Sequence, residues 1–166
     1  TASVCTALHI PLDVIAGGLS TAEMRSKWRM ELHELNDLLL INDAYNANPE
    51  STAAALRTLS FFAQERGGQS WAFLGKMHEL GESSKTDHAE IGALAQSLGI
   101  DHLVCVNEPD YGSSMPINAR EMVIHYSKNK VEALSMVEHF SPGDVVLVKA
   151  SRAERLEELA EGLIIR

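Results

Sequence analysis

Residues 41–51, which read INDAYNANPES, bring a carboxylate, an aromatic ring and two amides together directly after a hydrophobic run. Asp43 ends that run, and Tyr45, Asn46 and Asn48 follow it closely. In an open α/β sheet, ligands bind at the carboxyl ends of the strands and in the loops that follow them. A carboxylate can accept hydrogen bonds from sugar hydroxyls, amides can donate and accept, and a ring can stack on a base. This segment therefore predicts a nucleoside-binding loop.

Two further clusters of polar residues follow predicted strands. The loop GKMHELG comes after the second parallel strand and contains His78 and Glu79. Lys149, Ser151 and Arg152 follow the last strand and open the last predicted helix, and two cations beside a helix N-terminus can bind an anion. Because the carboxyl ends of parallel strands share one edge of a sheet, we expect all three clusters to face a common crevice.

Each candidate residue also has a purely structural interpretation, which the sequence leaves open. Asp43 could cap a turn, and Asn48 could be an N-cap rather than a ligand. The loop with His78 could be an ordinary strand–helix connection, and Ser151 could be a capping serine flanked by solvated charges. Arg29, which lies in the early predicted hairpin, would by default be a surface arginine.

Short apolar runs alternate with helical periods through most of the chain. The alternation predicts βαβ units with right-handed crossovers, and therefore a doubly wound α/β fold with a mainly parallel sheet. Residues 28–35, the turn at Asn36-Asp37 and the run that follows predict an antiparallel hairpin at the edge of the sheet. The later predicted strands are 71–74, 103–106, 122–125 and 145–148. The predicted helices are 50–65, 86–98, 129–139 and 152–164.

Capping signals set the predicted helix starts. Asn48-Pro49 places an N-cap before a proline at the first helical position. Asn129 with Glu132, and Ser151 with Glu154, have the spacing of a capping box.

The first 25 residues differ from the rest of the chain. Apolar residues on both sides of Pro11 predict two short helices that the alternating fold does not need, and the chain begins at Thr1 without an initiator methionine. We therefore expect residues 1–25 to be the tail of a preceding domain and residues 26–166 to form a separate domain. Residues 107–121, rich in Gly, Ser, Pro and Asn, are expected to form a surface loop.

The composition argues against several kinds of partner. A net charge of −9 and a pI near 5.2 argue against binding to a nucleic-acid backbone or an anionic membrane. No apolar run approaches the ~18 residues of a spanning helix. Cys5 and Cys105 are expected to be reduced thiols of a cytoplasmic protein. The chain has no G-x-x-x-x-G-K-[ST] or G-x-G-x-x-G motif and no zinc-type spacing of Cys and His, so no metal site is expected within it.

Five segments together resemble the C-terminal part of the Mur ligases, the ATP-dependent amide ligases of peptidoglycan synthesis. They are WRME, NDAYNANPES, LGKMHELGE, His88 followed by Gly92, and GDVVLVKASRAERLE. YNANP and ELG are typical of the branch that joins D-alanyl-D-alanine to UDP-N-acetylmuramoyl-tripeptide (UDP-MurNAc-tripeptide). In this family an N-terminal domain holds the UDP-sugar and a central domain carries the phosphate loop and Mg²⁺. A Rossmann-like C-terminal domain closes over the ATP. The resemblance implies ATP and Mg²⁺ for the full-length enzyme, and residues 1–25 would be the last helices of the central domain.

The resemblance also implies roles for individual residues. Arg29 would be the catalytic arginine that reaches the γ-phosphate of ATP on domain closure, and Asp43 would receive the ribose hydroxyls. Tyr45, Asn46 and Asn48 would face the adenosine or the neighbouring domain. The residues implied near the incoming amino substrate are His78, Glu79, Lys149, Ser151 and Arg152. In the family mechanism the tripeptide carboxylate is phosphorylated, and the amine of the dipeptide attacks the resulting acyl phosphate through a tetrahedral intermediate.

The sequence departs from the family pattern at two positions. Lys76 stands where the loop commonly has an acid, and Ala150 stands where the last strand is usually followed by glycine. The first change reverses a charge at the edge of the crevice. The second adds a methyl group where the backbone could need a positive φ.

Three other interpretations remain open at this point. A phospho-receiver-like signalling module shares the doubly wound fold and would place Asp43 and Lys149 similarly, although the strand that ends at Leu74 supplies no aspartate to phosphorylate. The others are another superfamily member, such as a folate polyglutamate ligase, and a non-catalytic interaction domain of the same fold. As a monomeric C-terminal domain whose partners are its own N-terminal and central domains, the isolated chain is expected to be inactive. It should bind nucleotide weakly.

Overall fold

The computed structural model describes residues 2–20, 26–113 and 122–165. The helices are α1 (Ala2–Ala7), α2 (Leu12–Ser20), α3 (Pro49–Arg66), α4 (Ser84–Ser97), α5 (Lys130–Leu134) and α6 (Glu157–Ile164). The strands are β1 (Glu31–Leu35), β2 (Leu38–Asp43), β3 (Ser70–Leu74), β4 (His102–Val106), β5 (Val123–Ser127) and β6 (Val145–Lys149).

The six strands form one sheet in the order β1-β2-β6-β3-β4-β5. β1 is antiparallel to β2 at the edge of the sheet, and the other neighbours pair in parallel. Asn36 and Asp37 join β1 to β2 with φ angles of 46° and 75°, the left-handed backbone that a tight two-residue hairpin turn requires. The predicted fold, with its mainly parallel sheet and antiparallel edge hairpin, is confirmed.

Alternate residues of the central strands point to opposite faces, and each face has its own core. Leu39 and Ile41 of β2 pack with α3 and α4, whereas Leu40 packs with α5 and α6. Trp71 and Phe73 of β3 lie on the α5 and α6 face. Since both faces are covered, strands β3 and β6 are buried along their whole length.

Helix α3 begins and ends where its capping residues predict. The Asn48 side chain accepts from the Ser51 N–H (2.8 Å), and Ser51 Oγ accepts from the Asn48 N–H (3.1 Å). Pro49 occupies the first helical turn, and Gly67 ends the helix with φ at 70°. These contacts fix where the polypeptide leaves β2 and enters the helix.

The predicted start of the last helix is wrong. Residues 152–154 form a 3₁₀ turn, Arg155 has φ at 53°, and α6 begins only at Glu157. Ser151 makes no capping bond because its hydroxyl serves the neighbouring loops instead. At α5 the predicted cap is formed, since Asn129 accepts from the Glu132 N–H (2.9 Å).

The described part of the predicted surface loop, residues 107–113, is only partly exposed. Residues 109–112 form a 3₁₀ turn in which Tyr111 is fully buried and donates its hydroxyl to Gly75 O (2.8 Å). A Cβ on Gly92 would lie 1.7 Å from Tyr111 O, so this glycine lets α4 approach the turn. Residues 114–121 lie outside the described part of the chain.

The two predicted N-terminal helices are α1 and α2. Most of their large apolar side chains face solvent, namely Val4, Leu8, Leu12, Val14 and Leu19. The predicted boundary after residue 25 adjoins residues 21–25, which are not described. Among the described residues, no helix is both long enough and apolar enough to cross a membrane. Cys5 and Cys105 are free thiols, as expected.

Candidate functional site

The candidate site lies where the loops after three adjacent strands diverge. The loops after β2 and β3 lead to α3 and α4 on one face of the sheet, whereas the loop after β6 leads to α6 on the other face. Because β6 lies between β2 and β3, the chain leaves the sheet in opposite directions at neighbouring carboxyl ends. Ligands bind at such switch points in open α/β sheets.

Ser151, in the loop after β6, forms hydrogen bonds with the loops after β2 and β3. Its hydroxyl donates to Ala47 O (3.1 Å) and accepts from the His78 N–H (2.9 Å). Its own N–H donates to Lys76 O (3.0 Å). Since Ser151 is 4% exposed, these are interior contacts that set the relative positions of the loops after β2, β3 and β6. The three polar clusters therefore lie at one rim of the sheet, where they line two adjoining clefts rather than the single crevice that was expected.

Asp43 and Lys149 form a buried ion pair at the rim of the sheet. They are opposite each other in the β2–β6 register, and Lys149 Nζ donates to Asp43 Oδ2 (2.6 Å). Lys149 also donates to Asn46 O (2.8 Å), while Asp43 Oδ1 accepts from the Met30 N–H (3.1 Å). The two charges, which the resemblance assigns to different ligands, therefore neutralise each other in this structure.

The first of two adjoining clefts, cleft A, opens beside this ion pair and has a volume of about 460 Å³. The sequence-predicted residues that line it are Arg29, Asp43, Tyr45, Asn46, Asn48 and Lys149. The Arg29 guanidinium carbon lies 4.0 Å from the centre of the Tyr45 ring. Helix α3 contributes Ala54 and Thr58 to the opposite wall. Cleft A thus combines a cation, a carboxylate, an aromatic ring and amides, which are the groups that recognise a nucleoside phosphate.

The second, cleft B, has a volume of about 570 Å³. The sequence-predicted residues that line it are Tyr45, Asn46, Asn48, His78, Glu79, Ser151 and Arg152. His78 Nε2 lies 2.5 Å from Glu154 Oε1, and the exposed Glu79 has φ at 65°. The loop residues 45, 46 and 48 line both clefts, so a ligand in either cleft would touch the same wall. Lys149 lines cleft A, although the resemblance places it near the amino substrate.

Arg152 is held from two sides at the mouth of cleft B. Its Nη1 donates to the buried carboxylate of Glu157, and its guanidinium carbon lies 4.5 Å from the centre of the Trp28 ring. Nearly half of the arginine side chain is exposed, at 47%. A guanidinium has five N–H donors, so donors remain for a carboxylate ligand.

The two asparagines differ in how their side chains are used. Asn48 is the N-cap of α3, which is the purely structural role that the sequence left open for it. Its exposed side chain also lines both clefts. Asn46 Oδ1 accepts from the Ala47 N–H (2.9 Å), and the side chain is exposed.

Several residues that shape the site were not predicted from sequence. Trp28 and Glu157 position Arg152 of cleft B, and Glu154 contacts His78. Tyr111 anchors Gly75, and burial holds the pKa of its hydroxyl well above the ordinary range, so it remains a donor. Trp28 lies in the WRME segment, but nothing in its spacing indicates a partner at position 152.

The two departures from the family pattern are accommodated locally. Lys76 Nζ lies 3.7 Å from a carboxylate oxygen of the buried Glu108 and so supplies a cation to that group. Ala150 does not have a positive φ, which removes the expected backbone conflict. A Cβ on Gly75 would lie 2.9 Å from the Ala150 methyl, so the methyl occupies space that glycine leaves at position 75.

Among the described residues, no three His, Cys, Asp or Glu side chains are placed to hold a metal ion. Two carboxylates of this region are instead paired with cations, Asp43 with Lys149 and Glu157 with Arg152. The polar side chains of this site therefore suit an anionic organic ligand better than a bound metal ion.

Comparison with known proteins gives consistent matches over most of the chain. A family model described as "Mur ligase, glutamate ligase domain" matches residues 28–152. The UDP-N-acetylmuramoyl-tripeptide--D-alanyl-D-alanine ligase of Mycobacterium tuberculosis (strain CDC 1551 / Oshkosh) is 33% identical over 98% of this chain. The match covers 36% of that relative, so the chain spans about a third of the length of the curated relatives that it matches.

Solved structures agree with the sequence matches. A crystal structure of MurF from Acinetobacter baumannii superposes with a TM-score of 0.82 and 27% identity, over 98% of this chain and 35% of that one. The MurF ligase from Thermotoga maritima in complex with ADP superposes with a TM-score of 0.78 and 28% identity, over 98% of this chain and 36% of that one. The phospho-receiver interpretation is therefore wrong, and the chain belongs to the Mur ligase family, whose glutamate ligase domain it contains.

Proposed function

We propose that this chain is the C-terminal domain of an ATP-dependent ligase that joins D-alanyl-D-alanine to UDP-MurNAc-tripeptide during peptidoglycan synthesis. The supporting observation is the pair of adjoining clefts at the carboxyl ends of β2, β3 and β6, with the loop at residues 45–48 as their common wall. The match to a ligase of this name over 98% of the chain supports the choice of substrates.

In this proposal cleft A receives the nucleotide. Tyr45 offers a ring for stacking, and the Asp43 carboxylate, which Lys149 and the Met30 N–H hold in place, lies at the wall where ribose hydroxyls would bind. Arg29 would leave the Tyr45 ring on domain closure and contact the γ-phosphate. A guanidinium there would stabilise the charge that develops during phosphoryl transfer. The ADP complex of the Thermotoga maritima protein supports a nucleotide site in this family.

Cleft B receives the amino substrate in this proposal. Arg152 would bind the carboxylate of the dipeptide, and His78 and Glu79 would border its amine. The amine nitrogen attacks the carbonyl carbon of the acyl phosphate, the tetrahedral intermediate expels inorganic phosphate, and the nitrogen loses a proton to give the amide. Mg²⁺ held by the central domain would neutralise the phosphates, since Asp43 and Glu157 of this chain are already paired with cations.

The proposal includes an arrangement of domains. Residues 1–25 would be the last helices of the central domain, and residues 26–166 would form the C-terminal domain. The exposed apolar residues of α1 and α2 support this, because the rest of such a domain would cover them. The protein would act as a monomer in the cytoplasm, where free thiols such as Cys5 and Cys105 persist.

A product assay on the full-length protein tests the proposal. ATP, UDP-MurNAc-tripeptide and D-alanyl-D-alanine should together give ADP, phosphate and the UDP-MurNAc-pentapeptide, which mass spectrometry identifies. Omission of either peptide substrate should abolish the product. A protein that consumes ATP with both substrates present but forms no pentapeptide would contradict the proposal.

A further inference from the structure

The segment just before β1 contacts both clefts through two consecutive residues. Arg29 lies over the Tyr45 ring of cleft A, whereas the ring of Trp28 lies under the guanidinium of Arg152 in cleft B. The two cation–π contacts are therefore one residue apart in sequence, although the arginines involved line different clefts. Arg152 lines cleft B, and its position consequently depends on Trp28, which does not line that cleft.

The backbone of this segment is fixed in an unusual conformation. Trp28 and Met30 have φ angles of 59° and 49°, which are uncommon for residues other than glycine. The Trp28 N–H donates to Glu31 Oε1 (2.8 Å), and Trp28 O accepts from the Tyr45 N–H (2.9 Å). A strained backbone of this kind persists when surrounding contacts over-determine it. The Trp28 ring is therefore presented in a defined orientation.

The Trp28 ring is one of two groups that hold the Arg152 side chain in place. On one side its Nη1 donates to Glu157, which is buried at 4% exposure, and on the other side it lies 4.5 Å from the Trp28 ring centre. A carboxylate on one side and an aromatic face on the other restrict the rotamers of this guanidinium before any ligand arrives. Such preorganisation lowers the entropic cost of binding a carboxylate.

We infer that Trp28 is a positioning residue of cleft B, which presents Arg152 to the carboxylate of the incoming amino substrate. The inference rests on the function proposed above, since that proposal identifies the ligand of Arg152. Trp28 would thus influence the binding of the amino substrate, whereas the adjacent residue Arg29 would contact the nucleotide.

Steady-state kinetics of the full-length enzyme test this inference. Trp28→Leu removes the aromatic face and should raise KM for D-alanyl-D-alanine about three- to tenfold, the range that a partly exposed cation–π contact supports. KM for ATP and kcat should change less than about twofold. Trp28→Phe keeps an aromatic face and should remain close to wild type in all three constants. Phe61→Leu, an aromatic replacement at an exposed position of α3 that lines neither cleft, is the matched control.

A fluorescence measurement tests the same inference without the Trp28→Leu variant, which could be poorly folded. Binding of D-alanyl-D-alanine to Arg152 should change the emission of the half-buried Trp28, so the wild-type enzyme should show a saturable signal that Trp28→Phe lacks. A signal of equal size in Trp28→Phe would overturn the inference.

The kinetic outcomes separate the two proposals. An active wild-type enzyme with unchanged dipeptide KM in Trp28→Leu overturns the inference alone, and so does an equal rise in both KM values. A wild-type enzyme that makes no pentapeptide overturns the proposed function, and the inference falls with it.

Discussion

Lys149 and Asp43 show how two residues more than a hundred positions apart can define one edge of a binding site. Lys149 is 2% exposed and makes short bonds to the Asp43 carboxylate and to Asn46 O. A buried charge of either sign is costly without its partner. The ion pair therefore fixes the Asp43 carboxylate and the start of the shared loop in one arrangement.

Replacement of Lys149 by methionine should leave the Asp43 carboxylate buried without a cation. We expect the free energy of unfolding to fall by about 3–5 kcal/mol, the usual cost of breaking one side of a buried pair. Urea unfolding followed by tryptophan fluorescence measures this. The double variant with Asp43→Asn should recover most of the loss, and an equally unstable double variant would contradict the assignment of a paired charge.

Gly75 and Ala150 share one small space at the rim. Gly75→Ala would place a Cβ 2.9 Å from the Ala150 methyl and should lower the free energy of unfolding by about 1–3 kcal/mol, as overpacking does. Combination with Ala150→Gly should restore part of the lost free energy of unfolding. A double-mutant cycle in urea measures the coupling energy between the two positions. Gly17→Ala, where a Cβ meets open space, is the control. Strictly additive effects of the two rim substitutions would exclude the shared space.

At the scale of elements, the sequence predicts what local patterns determine and misses what distant contacts determine. The Asn48 cap, the Asn36-Asp37 turn and most strand positions follow from neighbouring residues, although β1 begins at Glu31 and not at Trp28 as predicted. The start of α6 does not, because the Ser151 hydroxyl oxygen accepts from the distant His78 N–H and not from an N–H of the following turn. The candidate site was predicted as three clusters, but the Trp28–Arg152 contact has no local signal.

Strands β3, β4 and β5 carry a stack of aromatic rings. His102 lies over Trp71 with ring centres 3.7 Å apart, and its Nδ1 is 3.2 Å from His125 Nε2. Burial, and then the neighbouring His125, lower the pKa of His102 from 6.5. Burial, and then His139, lower the pKa of His125. Asp101 and Asp144 oppose the shift of His102 without reversing it.

These shifts predict a loss of stability in mild acid. Because the folded pKa values are depressed, the unfolded state binds more protons below pH 6.5, and the free energy of unfolding should fall as the pH drops through that value. Urea unfolding at about pH 7.5 and about pH 5.5 measures the slope. The double variant His102→Gln, His125→Gln should lose less stability over this range than wild type. Parallel slopes in the two proteins would contradict the prediction.

At the scale of the whole molecule, the six strands with helices α3–α6 (the sheet domain) and the N-terminal helices α1 and α2 have different surroundings. The sheet is covered on both faces, whereas α1 and α2 expose most of their large apolar side chains. A structural unit with its own two-sided core should not require helices of this kind for its stability.

Deletion of residues 1–25 should therefore leave the sheet domain folded. We expect the midpoint of thermal unfolding to stay within about 3 °C of the full 166-residue chain, a difference of about 1 kcal/mol or less for a domain of this size. Calorimetry of the two chains measures it. Loss of a cooperative transition in the shortened chain would show that the helices belong to the same folding unit.

The central claim is that two adjoining clefts divide the substrates of one ligase reaction, and a matched pair of substitutions tests it most directly. Ala54 lines only cleft A and Ala153 lines only cleft B, and both are exposed. In the full-length enzyme, Ala54→Leu should raise KM for ATP by about three- to tenfold by filling cleft A, with little change in KM for D-alanyl-D-alanine. Ala153→Leu should do the reverse. If both substitutions raised the same KM, or if neither changed the constant of its own cleft, the assignment of the clefts would be wrong.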